Sequence, residues 1–326
     1  MIAKKILYWY DNNKRSLPWR NKCSVKKKEY YTIVSEFMLQ QTQVTTVIPY
    51  FINFLKNVPN LKSLTAISES KLLKHWQGLG YYSRAKNLKK SANIILKDYE
   101  GRLPNNFDEL KKLPGIGDYT ASAILAIAFN KPIIPLDGNI ERVLKRILNL
   151  KTERQIKKKN LHKRKKVFGK ANRSSDYVQA LMELGALVCK PKNPYCEKCP
   201  ITKHCLSYKN KDFELKKKKK IIINKFYVAR LYKNNDQILL IKNDKFKFLK
   251  NLLIFPMKEI SKSDSLLESE KKLNLKMSNM NMNISIDFSV IKKKLKNGLW
   301  VEKTELENYI IPTFTKKIFA YAKHNL

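Results

Sequence analysis

A double glycine turn running into a helix constrains this chain most: Leu113-Pro114-Gly115-Ile116-Gly117-Asp118-Tyr119-Thr120-Ala121. Pro114 ends whatever helix precedes it, because its ring fixes φ and it has no N–H to donate. Gly115 and Gly117 can take positive φ and let another molecule approach the backbone. From Asp118 onward, Ala121, Ile124, Leu125 and Ala128 fall on one helical face. The first N–H groups of such a helix have no partner within it. The segment is therefore either an ordinary tight turn or an anion site, for which phosphate is the usual occupant. Pro132 and Pro135 close the helix, and Asp137 precedes a second amphipathic run of Ile140, Val143, Leu144, Ile147 and Leu148. As an N-cap Asp137 would be unremarked, but a cap also fixes its carboxylate beside the turn.

Length and charge narrow the class. The chain has 326 residues, enough for two domains, and a formal net charge of +40. That excess points to a polyanionic partner, with nucleic acid ahead of an anionic membrane surface. The chain is also rich in Lys, Asn and Ile, so part of the lysine excess is simply solvated. No apolar run approaches the ~18 residues needed to span a bilayer, and the first ten residues show no signal-peptide core or cleavage site. A cytoplasmic, nucleoid-associated protein is expected, in which the 5 cysteines do not form a disulfide framework.

Several segments carry chemistry. Residues 2–10 read as an amphipathic helix, Leu17-Pro18-Trp19-Arg20 as a loop, and a further helix is expected from near Tyr30. In it Glu36 interrupts the apolar run of Ile33, Val34, Phe37, Met38 and Leu39, with no Lys or Arg one turn away. Such a carboxylate either reaches solvent or has a raised pKa suited to a general acid. Gln40, Gln41 and Gln43 follow, able to fill space vacated by a base or merely to join two helices. Trp76-Gln77-Gly78-Leu79-Gly80-Tyr81-Tyr82 is a second glycine turn, whose tyrosines could stack on bases or belong to the core. Residues 157–159 and 163–166 are basic and bracket a poorly patterned, exposed stretch, and a helix is expected from Tyr177 to Val188.

Cys189, Cys196, Cys199 and Cys205 are spaced by six, two and five residues. Thiolates so close in sequence wrap a soft metal centre, and zinc sites more often show two Cys-x-x-Cys pairs farther apart. Cys23 is left over. Lys190, Lys192 and Lys198 lie on the loop within reach of a DNA phosphate. The lysine run 216–220 reads as part of a linker spanning residues 214–224. Beyond it the periodicity becomes strand-like, with a hairpin expected around Asn234-Asn235-Asp236, another strand over residues 283–290 and a terminal helix over 312–323.

Together these motifs resemble the adenine DNA glycosylases of the MutY family over nearly the whole chain. Ser35-Glu36-Phe37-Met38-Leu39-Gln40-Gln41-Thr42-Gln43 matches the segment bearing that family's catalytic glutamate, Gly78-Leu79-Gly80-Tyr81-Tyr82 its wedge, and residues 113–120 its helix-hairpin-helix. The resemblance implies a mainly α glycosylase domain over residues 1–213, with a [4Fe–4S] cluster on the four cysteines. A smaller α/β, MutT-like domain over 225–326 would follow and would sense 8-oxoguanine. It implies Glu36 and Asp137 as catalytic carboxylates with Tyr119 and Asn139 beside them, and Arg20 and Gln179 at the substrate. DNA contacts would come from Gln41, Tyr81, Gly115, Ile116, Gly117, the three loop lysines and Ser278.

The implied partner is duplex DNA with adenine opposite 8-oxoguanine or guanine, bound by a monomer. Tyr119 stands where bifunctional relatives of the endonuclease III type carry a nucleophilic lysine, so a monofunctional enzyme is expected. A bifunctional glycosylase for oxidised pyrimidines and a non-catalytic lesion-binding protein are the competing readings. Met277-Ser278-Asn279 replaces the family's Phe-Ser-His, which predicts a narrowed preference for 8-oxoguanine.

Overall fold

The structure is a computed structural model and describes residues 2–214, 221–267 and 272–322. The lysine run 216–220 and the end of the expected terminal helix at Lys323 lie outside the described residues. The chain divides into two compact units, one of residues 1–67 and 86–217, the other of residues 68–85 and 218–326. The second unit thus takes in the glycine turn 78–82, which the sequence alone groups with the first domain.

Up to residue 214 the chain is helical. In order it forms α1 (Ile2–Asn13), α2 (Val25–Leu39), α3 (Val44–Asn57), α4 (Leu61–Ala66), α5 (Glu69–Trp76), α6 (Ser83–Asp98) and α7 (Phe107–Lys112). There follow α8 (Asp118–Ile127), α9 (Gly138–Ile147), α10 (Glu153–Ile156), α11 (Lys158–Arg164), α12 (Ser174–Glu183) and α13 (Leu206–Lys209).

α2 starts five residues before Tyr30, because the Ser24 hydroxyl caps it by accepting from the Lys27 N–H. It is buried nearly all round, with Ile33, Val34, Phe37 and Met38 fully inaccessible. α8 is also enclosed, with every residue from Thr120 to Ala126 buried, the small polar Thr120 and Ser122 included. One core joins Ile6, Trp9 and Tyr10 of α1 to Ile140 and Leu144 of α9, Leu161 of α11 and Leu181 of α12. Residues 157–166 are therefore not simply exposed. They form α11 and a 3₁₀ turn, anchored by Leu161 and Phe168; Lys165 is half-buried and donates to the Ile134 carbonyl at 2.9 Å, while the other lysines stay outside. α12 begins at Ser174, before Tyr177, and passes into a π-helical turn, Leu184–Val188.

The second unit carries a mixed seven-stranded sheet. Its strands are β1 (Ile223–Asn234), β2 (Gln237–Lys242), β3 (Leu253–Ile254), β4 (Met257–Ile260), β5 (Lys272–Met277), β6 (Met280–Val290) and β7 (Leu299–Glu302). The main path runs β3-β2-β1-β6-β5, with β4 on β1 and β7 on β2. β1 and β6 pair in parallel from Ile223↔Met280 to Lys233↔Val290. β1 and β2 form the expected hairpin, with Asn234 opposite Gln237 and Asn235 at φ +50°, a conformation that Asn tolerates well. Tyr227, Ala229 and Leu231 of β1 and Ile284 and Ile286 of β6 pack with Phe314 and Ile318 of a terminal helix, α14 (Thr313–Ala322, after one short helical turn at Asp264–Leu267). Gln77, at the end of α5, donates its amide to the Ile311 carbonyl at 3.0 Å, within this unit.

Candidate active site

The glycine hairpin is built against α2. Gly115 sits at φ +81°, and a Cβ there would lie 2.8 Å from Phe37 Cε1 and 2.9 Å from Asn87 Cβ. Gly115 therefore serves close backbone packing as well as the turn. Gln40 Nε2 donates to the Gly115 carbonyl at 3.2 Å and Ser91 Oγ to the Pro114 carbonyl at 2.9 Å. Ile116 is buried, whereas a Cβ on Gly117 would meet open space. The hairpin is thus tied to α2 on one side and accessible at the α8 N-terminus on the other.

A cleft of about 860 Å³ opens between α2, α8, α9 and α12. Glu36, Tyr119, Asp137, Asn139, Arg20, Gln179 and Gln41 all line it, although they are scattered over 160 positions of sequence. Glu36 is 5 % exposed, and its Oε2 is buried without a hydrogen-bond partner. Burial pushes its pKa up to about 7, with the Asp137 charge adding to the rise and hydrogen bonding with Tyr119 and the Arg20 charge opposing it. Tyr119 is held protonated well above the usual phenol range, first by desolvation and then by the Glu36 and Asp137 carboxylates. The chain leaves α2 for the cleft rim through Gln41, an exposed residue at φ +59°.

Asp137 is the N-cap of α9. Its Oδ1 accepts from the Ile140 N–H at 2.7 Å and its Oδ2 from Asn139 Nδ2 at 2.9 Å. Burial raises its pKa, and these hydrogen bonds limit the rise. Asn139 is itself held, because Arg142 Nη2 donates to its Oδ1 at 2.7 Å and to the Gly185 carbonyl at 2.6 Å. The π turn at Gly185 brings two backbones together, and a Cβ there would fall 2.6 Å from Asn139 Cβ. Such turns mark functional sites often enough to make the contact informative.

Gln179 is buried on α12, its Nε2 donating to the Ser175 carbonyl at 3.1 Å. Arg20 pairs with Glu183, Nη1 to Oε1 at 2.9 Å, and Arg15 joins the same carboxylate at 2.8 Å. The Glu183 side chain is fully buried. Sequence reasoning missed Glu183, Arg15 and Arg142. Glu183 alone had a signal, as an acid between Met182 and Leu184 one turn after Gln179.

The profile of the HhH-GPD superfamily of base excision DNA repair proteins matches residues 34–168. The chain is 40 % identical over 266 residues to an adenine DNA glycosylase of Buchnera aphidicola from Schizaphis graminum, covering 78 % of this chain and 74 % of that protein. It is 39 % identical to the one of Buchnera aphidicola from Baizongia pistaciae, covering 86 % and 80 %. The chain belongs to the adenine DNA glycosylase family. A solved thermostable thymine-DNA glycosylase is similar to this family member with a TM-score of 0.56 and 26 % identity, over 64 % of this chain and 95 % of its own.

In this adenine DNA glycosylase family member the four cysteines of the loop line one small cavity, with Arg146, Val188, Tyr195 and Phe213. Arg146 Nη1 lies 3.4 Å from Cys189 Sγ and also donates to the Lys190 carbonyl at 2.6 Å, while Nη2 donates to the Pro191 carbonyl at 2.9 Å. Among the described residues, no three His, Cys, Asp or Glu side chains close on a point fit for a single metal ion. Lys192 and Lys198 are exposed on the loop, while Lys190 is partly buried with its Nζ 4.4 Å from the Tyr195 ring centre.

Two further expected DNA contacts belong to the second unit. Tyr81 is 45 % exposed at φ +47°, in a turn that Arg84 braces by donating to the Leu79 and Gly80 carbonyls. Ser278 sits at φ +56° in the exposed two-residue turn between β5 and β6. No described helix is long and apolar enough to cross a membrane.

Proposed function

We propose that this cleft removes adenine from duplex DNA where it is mispaired with 8-oxoguanine or guanine, by hydrolysis of the N-glycosidic bond. The observation that carries the reading is Glu36, a buried carboxyl near pKa 7 with one oxygen unpartnered, facing a cleft that also holds Asp137. The adenine flips out of the stack into the cleft. Glu36 delivers its proton to N7, and the base becomes a better leaving group. Asp137, fixed by Ile140 and Asn139, stabilises the positive charge that grows on the sugar before water adds. With the Gln179 NH₂ engaged by Ser175, its Oε1 remains as the acceptor for an exocyclic amine of the base. The N–H groups at Gly117 and the start of α8 would hold a phosphate beside the flipped nucleotide.

The lining of the cleft supports a monofunctional mechanism. Among its described lining residues there is no lysine, so no amine is available for a Schiff base. That favours hydrolysis over the bifunctional alternative. Residues 1–213 would carry this chemistry, and the part of the chain whose sheet begins with β1 at Ile223, two residues inside the linker expected over 214–224, would sense the opposite base through the turn that bears Ser278. The exposed left-handed turns at Gln41 and Tyr81 support their roles in filling the strand gap and wedging the stack, since strained backbone persists where function requires it.

The loop cavity fits a [4Fe–4S] cluster on Cys189, Cys196, Cys199 and Cys205. A cubane holds its thiolates at its corners and needs a shared cavity, whereas a single zinc ion with Zn–S near ~2.3 Å draws them to one point. When bound, the cluster would shape the loop that carries Lys190, Lys192 and Lys198 and leave base chemistry to the carboxylates.

The test is single-turnover release of adenine from duplexes with A opposite 8-oxoguanine, G or T. Release from the first two and not the third is expected, while strand nicking without added base or no adenine release would overturn the reading. The same duplexes with a truncation after Lys211 test the second domain. Unchanged preference would remove it as the sensor.

A further inference from the structure

We propose that the basic segment of residues 151–170 is a second phosphate-backbone contact that continues the duplex footprint away from the glycine hairpin, with Asp118 as the internal anion that DNA displaces. The inference rests on the DNA reading above and adds a surface to it. Ten of these twenty residues are Lys or Arg and only Glu153 is acidic, against 67 Lys and Arg in all 326 residues, so the general lysine excess does not account for the density.

The fold turns that density into a surface. Leu161 and Phe168 anchor the segment in the core, and Lys157, Lys158, Lys159, Lys163, Arg164 and Lys166 remain exposed. Solvated lysines of this kind neutralise phosphates without reading bases.

Asp118 joins this surface to the hairpin. It is the first residue of α8, where the helix dipole and free N–H groups draw negative charge. Its carboxylate lies 2.9 Å from Lys111 Nζ and 3.9 Å from Lys158 Nζ. His162, one turn after Lys158, adds to the positive surroundings that keep it ionised, after the larger effect of Lys111. An incoming phosphate at the open Gly117 side meets two lysines already engaged by a carboxylate. It can take them over, and Asp118 thereby weakens the grip on any duplex.

The experiment is a salt titration of duplex binding with the full chain. It compares a Lys158→Gln, Lys159→Gln, Lys163→Gln variant with a Lys292→Gln, Lys293→Gln, Lys296→Gln variant that removes equal charge from another exposed lysine run. The first triple should flatten the log–log salt slope by about 2–3, near 0.9 per lost phosphate contact, and the second by less than about 1. Equal flattening would overturn the proposal in favour of a general field, and so would an effect on anionic vesicles with duplex binding unchanged. Asp118→Asn should tighten binding several-fold at low salt, and unchanged or weaker binding would overturn its role. Adenine release by the unsubstituted protein, read in parallel, reports on the proposed function separately.

Discussion

Asn139 holds the Asp137 carboxylate on the side that the helix does not. Its Nδ2 meets Oδ2 at 2.9 Å while the Ile140 N–H meets Oδ1 at 2.7 Å. A hydrogen bond to a charged group contributes about 1.5–3 kcal/mol, so Asn139→Ala should slow adenine release roughly 10- to 150-fold. Because this bond limits the raised pKa of Asp137, the acid limb of the pH–rate profile should also move to higher pH. A rate loss with that limb in place would show that Asn139 acts otherwise.

Glu36→Gln should slow adenine release by at least ~100-fold, the scale of a general acid, and leave duplex binding in place. In the unsubstituted protein the rate should fall as pH rises through about 7, where Glu36 loses its proton. The same shift has a stability consequence. The folded-state pKa lies above the ordinary value of 4.5, so between these pH values the folded protein keeps a proton that the unfolded chain has released, and stability falls as pH rises. Glu36→Gln should therefore raise the melting temperature at pH 8 and leave it nearly unchanged at pH 4. Thermal denaturation at the two pH values checks this.

Gly185→Ala places a methyl group 2.6 Å from Asn139 Cβ and 2.9 Å from its carbonyl carbon. Backbone cannot move aside as a side chain can, so Asn139 should shift from Asp137. Overpacking of this kind costs about 1–3 kcal/mol. Adenine release should drop at least tenfold at a temperature where circular dichroism shows the variant folded. Wild-type release would mean that the π turn does not position Asn139.

Purified under anaerobic conditions, the protein should be brown and contain iron, with about four irons per chain for a cubane on four thiolates. Cys199→Ser should lose the iron and weaken duplex binding more than it slows base release at saturating protein. Stoichiometric zinc with no iron would remove the cluster.

What the sequence determined by itself is local. Pro135 before Asp137 and the apolar spacing after it specify an N-capped helix, because caps and faces depend on neighbours within one or two turns. The four cysteines likewise announce a shared cavity, and Glu36 a carboxyl in apolar surroundings. Only the tertiary structure decided whether that carboxyl reaches water, because its burial depends on residues far away in sequence, Tyr119 and Asp137 among them, that line the cleft beside it. The same holds for the pairing of Glu183 with Arg15, 168 residues apart, and for Gly115, which reads as a free turn until Phe37 packs against it. The basic stretch over residues 157–166 reads as poorly patterned because the anchors Leu161 and Phe168 find their partners in helices far away in sequence. Spacing along a chain specifies which face a residue occupies, whereas burial and charge pairing depend on what that face meets once the helices have packed.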